Sequence, residues 1–502
     1  MLAGMAYFVA CTESQVDIQV AGFSSKLPLL IATVVRRLTE FAHSEQTFNT
    51  SRAFLREAYQ DAHVQQPYEQ LHGDGHKHAN RVPHWPAATL EAELDSVSSD
   101  HLQAYADSIA RSPYVKILVA GNFDEAGALD AADQVRAALG ARPLPKRQHS
   151  PPRNVDFARG HYVHHAQMSD SSSINGAVES TVYFGPVAST KERMVLSLVA
   201  GVVHNPFFSQ LRTQEQLGYV AFSTHRIGAS GRAMLSFVVQ SESNPAYLMQ
   251  RIDSFARGFR QRLVDYTDSE FRNLVESQIS HRSEAPKSIH WEAGLLWSRI
   301  SDGDYDFGRL ADEIACLRML RKEDLLAAWD RHANPDSAAN YTRIDRLLWP
   351  AASRAPSPAD LQAYTGDVIA LLGCLESAGF RGATLAELAA TVGAASLAGR
   401  VNHALEALAR IYVAPGTDRD TAQVVDRLGA NGTCIRAALE AALAARDRQR
   451  AVADAADDDT RKTPDGKYII VDMDEFKAAH PLHDPPVPAT ALEPRHPSQP
   501  AV

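Results

Sequence analysis

Residues 206–224 read Pro206-Phe-Phe-Ser-Gln-Leu-Arg-Thr-Gln-Glu-Gln-Leu-Gly-Tyr-Val-Ala-Phe-Ser-Thr224. Phe207, Phe208 and Leu211 recur at helical spacing, so the run predicts a short helix whose three apolar side chains face a core. Gly218 stands where a helix-ending turn requires positive φ, and a strand is expected after it. The segment therefore predicts a rigid elbow between a helix and a strand.

Arg212 and Tyr219 lie at the two ends of this predicted elbow. A guanidinium offers a planar fork of donors and a phenol offers one O–H donor. Together they suit a peptide carbonyl, or the oxyanion that forms during acyl transfer. A structural alternative stays open on these residues alone, in which Arg212 caps helix carbonyls or pairs with an acidic neighbour such as Glu215.

Leu211-Arg-Thr-Gln-Glu-Gln-Leu-Gly-Tyr219 resembles a signature in the C-terminal half of the insulysin (insulin-degrading enzyme) and pitrilysin family of zinc metallopeptidases. That family includes the fungal a-factor-processing protease. The likeness runs from Leu2-Ala-Gly4 through Trp297-Ser-Arg-Ile300 to Leu325, and it resumes in Tyr468-Ile-Ile-Val-Asp-Met-Asp-Glu-Phe476.

The resemblance implies a clamshell of four related α+β domains, with zinc in the N-terminal half and none in the C-terminal half. This chain would be the second half, beginning inside the third domain. Arg212 and Tyr219 would then reach into the active site of the other half and contact the substrate at the scissile bond. The implied partners are peptide substrates and a zinc-bearing chain, with a homo-oligomer as an alternative.

Zinc in that family is held by H-x-x-E-H and a downstream glutamate, with a further glutamate as general base. The sequence has no Glu-His dipeptide and no H-E-x-x-H, so neither orientation of the motif can be built. We therefore predict no metal or cofactor on this chain and no activity from it alone. The function expected is the non-zinc half of a metalloendopeptidase that binds and helps cleave peptides, with the zinc half supplied elsewhere or lost. The alternative is a catalytically inactive scaffold or interaction protein, like the peptidase-like core subunits of respiratory complexes.

Two histidine groups were candidates for a different metal site. In His72-Gly-Asp-Gly-His-Lys-His78, with His84 beyond it, the glycines and a nearby proline favour a solvated loop that does not fix ligand geometry. In His161-Tyr-Val-His-His165, His161 and His165 would share one face of a strand with His164 opposite, which is more typical of surface residues.

The predicted fold class is α+β, with two tandem related α/β sandwich domains in which helices pack on a mostly antiparallel sheet. In the first, Gln15–Val20 is a strand, a second helix covers about residues 50–63, and Val115–Ala120 is a buried strand. The helix between the strand at 15–20 and the helix at about 50–63 carries its apolar stripe on Leu30, Val34, Leu38 and Phe41.

The second unit repeats this order from the strand Met234–Gln240. Thr267 and Glu270 form a capping box that opens the later of its two helices. The earlier helix carries Leu248, Ile252, Phe255 and Phe259, and the later one carries Phe271, Leu274, Val275, Gln278 and Ile279.

These patterns divide the chain into four parts. We predict an insulysin-like third domain at 1–145, a fourth domain carrying the elbow at 155–350, a small mainly helical insertion at 360–450, and a charged linker with a Pro-rich disordered tail at 451–502. The insertion has the outline of a winged helix. However, it has few basic residues, so nucleic-acid or partner binding there is the weaker alternative to a plain helical module.

Charge, hydrophobicity and cysteine content indicate which partners and which cellular compartment to expect. A net charge of −10 without a basic block argues against nucleic acid, and no apolar run reaches the length of a membrane span. The four cysteines, Cys11, Cys316, Cys374 and Cys434, are too far apart to indicate a disulfide framework or a thiolate zinc site. We expect a reducing compartment, the cytoplasm first and mitochondria as the alternative.

Overall fold

A computed structural model describes residues 4–140, 142–145, 148–149, 152–186, 189–227, 232–303, 305–336, 342–351, 355 and 467–482. Three sets of predictions fall outside these residues: the helical module at 360–450, the linker and tail other than 467–482, and the cysteines Cys374 and Cys434. Within them, helices and open sheets together confirm the predicted α+β class.

The first unit, residues 4–140, opens with an antiparallel hairpin. Strand β1 (Ala6–Cys11) pairs with β2 (Val16–Ala21), so the strand predicted at 15–20 is confirmed. The helices that follow are α1 (Leu27–Thr39), α2 (Glu45–Val64), α3 (Pro67–Gln70), α4 (His76–Asn80), α5 (Ala87–Glu93), α6 (Ser99–Arg111) and α7 (Glu125–Leu139). A π-helical turn, Leu71–Gly75, joins α3 to α4.

The strand predicted at Val115–Ala120 is wrong. Those residues form no strand, and the side chains of Val115 and Ile117 are 45% and 42% exposed. A strand exists only where a neighbouring backbone satisfies its N–H and C=O groups. Among the described residues β1 and β2 pair only with each other, so this apolar segment has no sheet to join.

The second unit, residues 152–351 together with 467–482, is organised around a six-stranded sheet. Its strands are β5 (Gly160–Gln167), β6 (Gly176–Pro186), β7 (Val220–Ile227), β8 (Arg232–Ser241), β9 (Thr342–Trp349) and β10 (Tyr468–Ile470). Their order in the sheet is β10-β5-β9-β6-β8-β7. The neighbours β10, β5 and β9 run parallel, while the pairings of β6 with β9, β6 with β8, and β7 with β8 are antiparallel. Two short strands, β3 (Arg81–Val82) and β4 (Arg153–Asn154), pair between the units.

Helices cover one face of this sheet and enclose the main core. They are α8 (Thr190–Phe208), α9 (Pro245–Asp265), α10 (Asp268–Ser283), α12 (Arg309–Leu317) and α13 (Lys322–His332). Helix α11 (Ile289–Asp302) contributes no residue to this core, and its Ile300 carbonyl accepts a hydrogen bond from Lys116 of the first unit at 2.8 Å. The predicted stripe of α9 is confirmed, because Leu248, Ile252, Phe255 and Phe259 are all fully or almost fully buried. The capping box of α10 also forms, with Glu270 accepting from the Thr267 amide at 2.8 Å.

The opposite face of the sheet is covered by pieces from both ends of the chain. Helix α4 contributes Ala79, and α14 (Met473–Ala478) contributes Met473, to a second apolar cluster with Tyr162, Tyr183 and Ile344. Residues 467–482 therefore return to the sheet through β10 and α14.

One helix among the described residues, α8 together with the π-helical turn that continues it (Thr190–Gln214), is long and apolar enough to cross a membrane. Its most apolar window is 61% buried inside the fold. That burial is typical of a core helix in a globular protein.

Candidate functional site

The predicted elbow forms at the end of a longer helix than the sequence pattern suggested. Helix α8 begins at Thr190, capped by Ser189, and passes into a π-helical turn at Ser209–Gln214. Phe207 and Leu211 are fully buried, as predicted. Phe208 is 38% exposed instead, because it points a different way around the helix from its neighbour Phe207.

The turn that closes the elbow does not use Gly218 as expected. The left-handed residue is Gln216, with φ 52°, whereas Gly218 has no positive φ. Gly218 is needed for a different reason: a Cβ on it would stand 2.0 Å from the carbonyl oxygen of Gln240 on β8. The glycine therefore allows the elbow to press against the neighbouring strand.

Arg212 and Tyr219 meet at the surface of the elbow. The Cζ atom of Arg212 lies 4.9 Å from the ring centroid of Tyr219 and 4.9 Å from that of Phe208. Its Nε also donates to the Tyr219 carbonyl at 3.1 Å. The guanidinium thus contacts two aromatic rings at cation–π distance.

The Tyr219 side chain is 84% exposed, so its phenol faces solvent. Within the described part of the chain, Nε is the guanidinium atom of Arg212 that has a hydrogen-bond partner. The sequence left open a purely structural role for Arg212, as a cap on carbonyls or a partner of Glu215. Arg212 does bond a main-chain carbonyl, that of Tyr219, but Glu215 pairs with Arg251 instead. The elbow presents a phenol and a guanidinium edge side by side.

Other side chains fix the backbone between these two residues. Glu215 accepts a two-pronged bond from Arg251 on α9, with Nε and Nη2 each 2.8 Å from a carboxylate oxygen. Gln210 also donates to Glu215 at 2.9 Å, and Ser241 donates from its hydroxyl to the Leu217 carbonyl.

The first unit contacts the sheet directly beside the elbow. The Tyr68 amide donates to the side-chain carbonyl of Gln240 at 3.1 Å, and the Gln240 amide donates to Gln66 at 2.9 Å. Phe222, three residues after Tyr219, packs edge-on against the rings of Tyr68 and His72. Strand β7 is consequently held between α8 on one face and the first unit on the other.

The first histidine group is not a solvated loop, which corrects the sequence interpretation. His72 and His76 lie in the helical segment 67–80, and both face the fully buried carboxylate of Glu179 on β6. Gly75 serves close packing, because a Cβ there would stand 2.9 Å from Nη1 of Arg346. The sequence could not indicate this, since Glu179 and Arg346 lie far away along the chain.

The network around Glu179 joins the two units through charge. Arg346 donates to Glu179 and, at 2.7 Å, to the Leu71 carbonyl. His72 contacts Glu179 through Nδ1 at 3.0 Å, while its Nε2 lies 2.6 Å from Nη2 of Arg226 on β7. Since a guanidinium can only donate, His72 Nε2 is the acceptor in this contact.

Two pKa shifts follow from this network. Burial alone would raise the pKa of Glu179, but the charge of Arg346, the hydrogen bond from His72 and the nearby imidazole of His76 hold it well below its ordinary value. Burial lowers the pKa of His76, against the opposing influence of Glu179. His84 shows the reverse balance, because its ion pairs with Glu13 and Asp74 outweigh burial and raise its pKa.

The second histidine group lies on β5, with the predicted alternation, but it is not at the surface. His161 Nε2 donates to the buried carboxylate of Asp345, and His165 Nδ1 accepts from the Trp349 indole at 2.9 Å. Burial lowers the pKa of His164 to about 4 and that of His165 to about 3. Among the described residues no group of three or more His, Cys, Asp or Glu side chains has a geometry that could hold a metal ion.

Comparison with known proteins places these features in context. The family model "PQQ synthase PqqF-like, C-terminal lobe domain 4" matches residues 198–297, and "Middle or third domain of peptidase M16" matches residues 1–91. The chain is 28% identical to insulin-degrading enzyme of Homo sapiens over 330 residues, covering 65% of this chain and 32% of that protein. Insulin-degrading enzyme-like 2 of Arabidopsis thaliana is 25% identical over 348 residues, covering 67% and 35%.

Among solved structures, pitrilysin is similar with a TM-score of 0.59 and 19% identity, covering 69% of this chain and 36% of that one. At this identity the likeness shows the fold alone. The chain spans about a third of the length of the two curated relatives described. The predicted resemblance is confirmed by these comparisons.

Proposed function

The chain is related to the C-terminal half of the insulysin and pitrilysin peptidases, and on that premise we propose that it is the non-zinc half of a zinc metalloendopeptidase. It binds peptide substrates and assists cleavage at a zinc centre carried by another polypeptide. The observation that carries this proposal is the exposed phenol of Tyr219 stacked on Arg212 at the end of a fixed elbow.

The proposed chemistry uses two donors. The Tyr219 hydroxyl and the Nη groups of Arg212 donate to the carbonyl of the scissile peptide, and they donate more strongly as that oxygen becomes an anion. The zinc of the partner half would polarise the same carbonyl and activate water. Because the donors are fixed before the substrate arrives, little reorganisation is needed as charge develops.

The domain assignment is part of this proposal. Residues 1–145 would be the third domain of the family and residues 155–350 the fourth, and the matches at 1–91 and 198–297 support that order. The Arg212–Tyr219 elbow lies within the second of these matches.

The test is reconstitution of peptide hydrolysis with a purified zinc-bearing half. Replacing Tyr219 by Phe or Arg212 by Ala should lower turnover by about 10²- to 10³-fold, the usual effect of losing one oxyanion donor. Tyr105→Phe is the matched control, because Tyr105 is an exposed tyrosine on α6 that is 64% accessible. Equal turnover by Tyr219→Phe, Arg212→Ala and the parent would refute the proposal.

The second candidate is a catalytically inactive scaffold, which is favoured by the lack of any H-x-x-E-H motif in the sequence. The same experiment separates the two. A scaffold would associate with a zinc-bearing half without any dependence of hydrolysis on Tyr219, and zinc analysis of the chain alone supplies the baseline.

A further inference from the structure

We propose that Arg251 is a positioning residue for the candidate site: by holding Glu215 it fixes the segment between Arg212 and Tyr219. The inference rests on the proposed function for its catalytic consequence, but its structural claim can be tested without a zinc-bearing half. Neither the sequence pattern nor the family comparisons assign a role to Arg251.

The contact between the two residues has the geometry of a strong ion pair. Nε and Nη2 of Arg251 reach separate oxygens of Glu215, each at 2.8 Å, and both side chains are mostly shielded from solvent. Paired, charge-assisted bonds of this kind define orientation as well as distance. Because Arg251 projects from the buried helix α9, the pair anchors the elbow to the core of the second unit.

The segment has an irregular backbone, which the ion pair holds against the core. It contains a π-helical turn, and Gln216 adopts a left-handed conformation that disfavours side-chain-bearing residues. A strained residue persists only where its surroundings impose the conformation. Glu215 immediately precedes Gln216, so its ion pair with Arg251, called the clamp below, restrains the backbone next to the strained residue.

The consequence for the site is direct. The Arg212 guanidinium reaches Tyr219 through one hydrogen bond, Nε to the Tyr219 carbonyl, and through ring stacking. Both depend on the path of the intervening residues. If Glu215 is released, the segment can relax, and the guanidinium and phenol are no longer presented together.

Helix α9 contains a matched control for this claim. Arg260 makes the same two-pronged bond to Asp330 on α13, at 2.7 and 2.9 Å, but it does not contact the elbow. Arg260→Ala therefore removes an ion pair of the same geometry, at a more exposed position, from the same helix. If Arg251→Ala changes the elbow and Arg260→Ala does not, the change comes from the lost contact with Glu215 and not from the loss of any arginine on α9.

The experiment measures proton exchange at Arg212 Nε by ¹H–¹⁵N NMR on the full chain. A hydrogen-bonded Nε–H exchanges slowly, so Arg251→Ala and Glu215→Ala should each accelerate exchange by at least about tenfold, and Arg260→Ala should leave it unchanged. The double variant Arg251→Ala/Glu215→Ala should exchange no faster than either single variant, because the two act as one unit. An unchanged exchange rate of the Arg212 Nε proton in Arg251→Ala would overturn the proposal. An acceleration in the double variant equal to the product of the two single accelerations would overturn it as well.

A second measurement connects the clamp to activity. In a reconstituted peptidase, Arg251→Ala should lower kcat by about tenfold with KM changed less than about twofold, while Arg260→Ala retains parental kinetics. Parental kcat in Arg251→Ala would remove the catalytic claim. Absence of all hydrolysis would count against the proposed function, and the NMR comparison would still decide the role of Arg251.

Discussion

Gly218 lies against the main chain of Gln240 so closely that a Cβ on Gly218 would stand 2.0 Å from the Gln240 carbonyl oxygen. The side-chain amide of the same Gln240 bonds to residues 66 and 68 of the first unit. Gln240 of β8 therefore packs against the elbow through its backbone and hydrogen-bonds the first unit through its side chain.

Gly218→Ala should destabilise the fold by about 1–3 kcal/mol, the usual effect of overpacking, because the clash is with backbone and no rotamer change relieves it. Gly258→Ala is the control: Gly258 lies in α9, a Cβ on it would meet nothing within 4 Å, and alanine there should add about 0.5–1 kcal/mol of stability. Urea unfolding measures both. A Gly218→Ala protein as stable as the parent would contradict the close approach.

Arg212→Ala and Tyr219→Phe should leave the free energy of unfolding within about 1 kcal/mol of the parent value. The phenol is 84% exposed, and a cation–π contact at an exposed site contributes only about 0.5–1 kcal/mol. Thermal unfolding of the two variants gives the measurement. A loss well beyond this range would show that the pair serves the fold, which would weaken its assignment to a substrate site.

Sequence patterns predicted the second unit well because its signals are local. The apolar stripe of α9 and the Thr267–Glu270 capping box depend on residues within a few positions of one another. The position of Arg212 and Tyr219 at one elbow was predictable for the same reason. The role of Gly218 was not, since its steric partner is the distant backbone of Gln240.

Long-range partners explain the remaining errors. The glycines of residues 72–78 indicate a loop when only neighbours are considered, yet the buried Glu179 and Arg346 turn this segment into a docked helix. In contrast, Val115–Ala120 has the composition of a buried strand but no partner strand among the described residues. In both cases the secondary structure of the segment depends on its contacts with residues far away in the sequence.

Glu179→Ala should destabilise the protein by about 3–5 kcal/mol, because it leaves Arg346 buried without its carboxylate partner. The double variant Glu179→Leu/Arg346→Met removes both charges and should recover much of that loss. Arg257→Ala serves as the surface control, since its pair with Asp336 is largely exposed and contributes less than about 1 kcal/mol. Urea unfolding of all three would test the network, and equal losses for Glu179→Ala and Arg257→Ala would contradict it.

Acidification from pH 7 to pH 5 should destabilise the protein through its buried neutral histidines. Burial lowers the pKa of His165 to about 3 in the folded state, against about 6.5 in an unfolded chain. Below about pH 6.5 the unfolded chain therefore binds a proton that the folded chain does not, and the free energy of unfolding falls as pH falls. His84 opposes this trend, since its raised pKa adds stability at low pH that is lost as pH rises.

His165→Gln isolates the contribution of one such group. A glutamine oxygen can accept the Trp349 indole proton that His165 Nδ1 accepts at 2.9 Å, but it does not titrate. The variant should lose about 1–2 kcal/mol less stability than the parent between pH 7 and pH 5, within the limit of about 1.4 kcal/mol per pH unit for one proton. His290→Gln, at an exposed position of α11, is the control for the substitution itself. Identical slopes for the parent and His165→Gln would mean that His165 takes up its proton without unfolding, and its burial against Trp349 would then not govern the acid response.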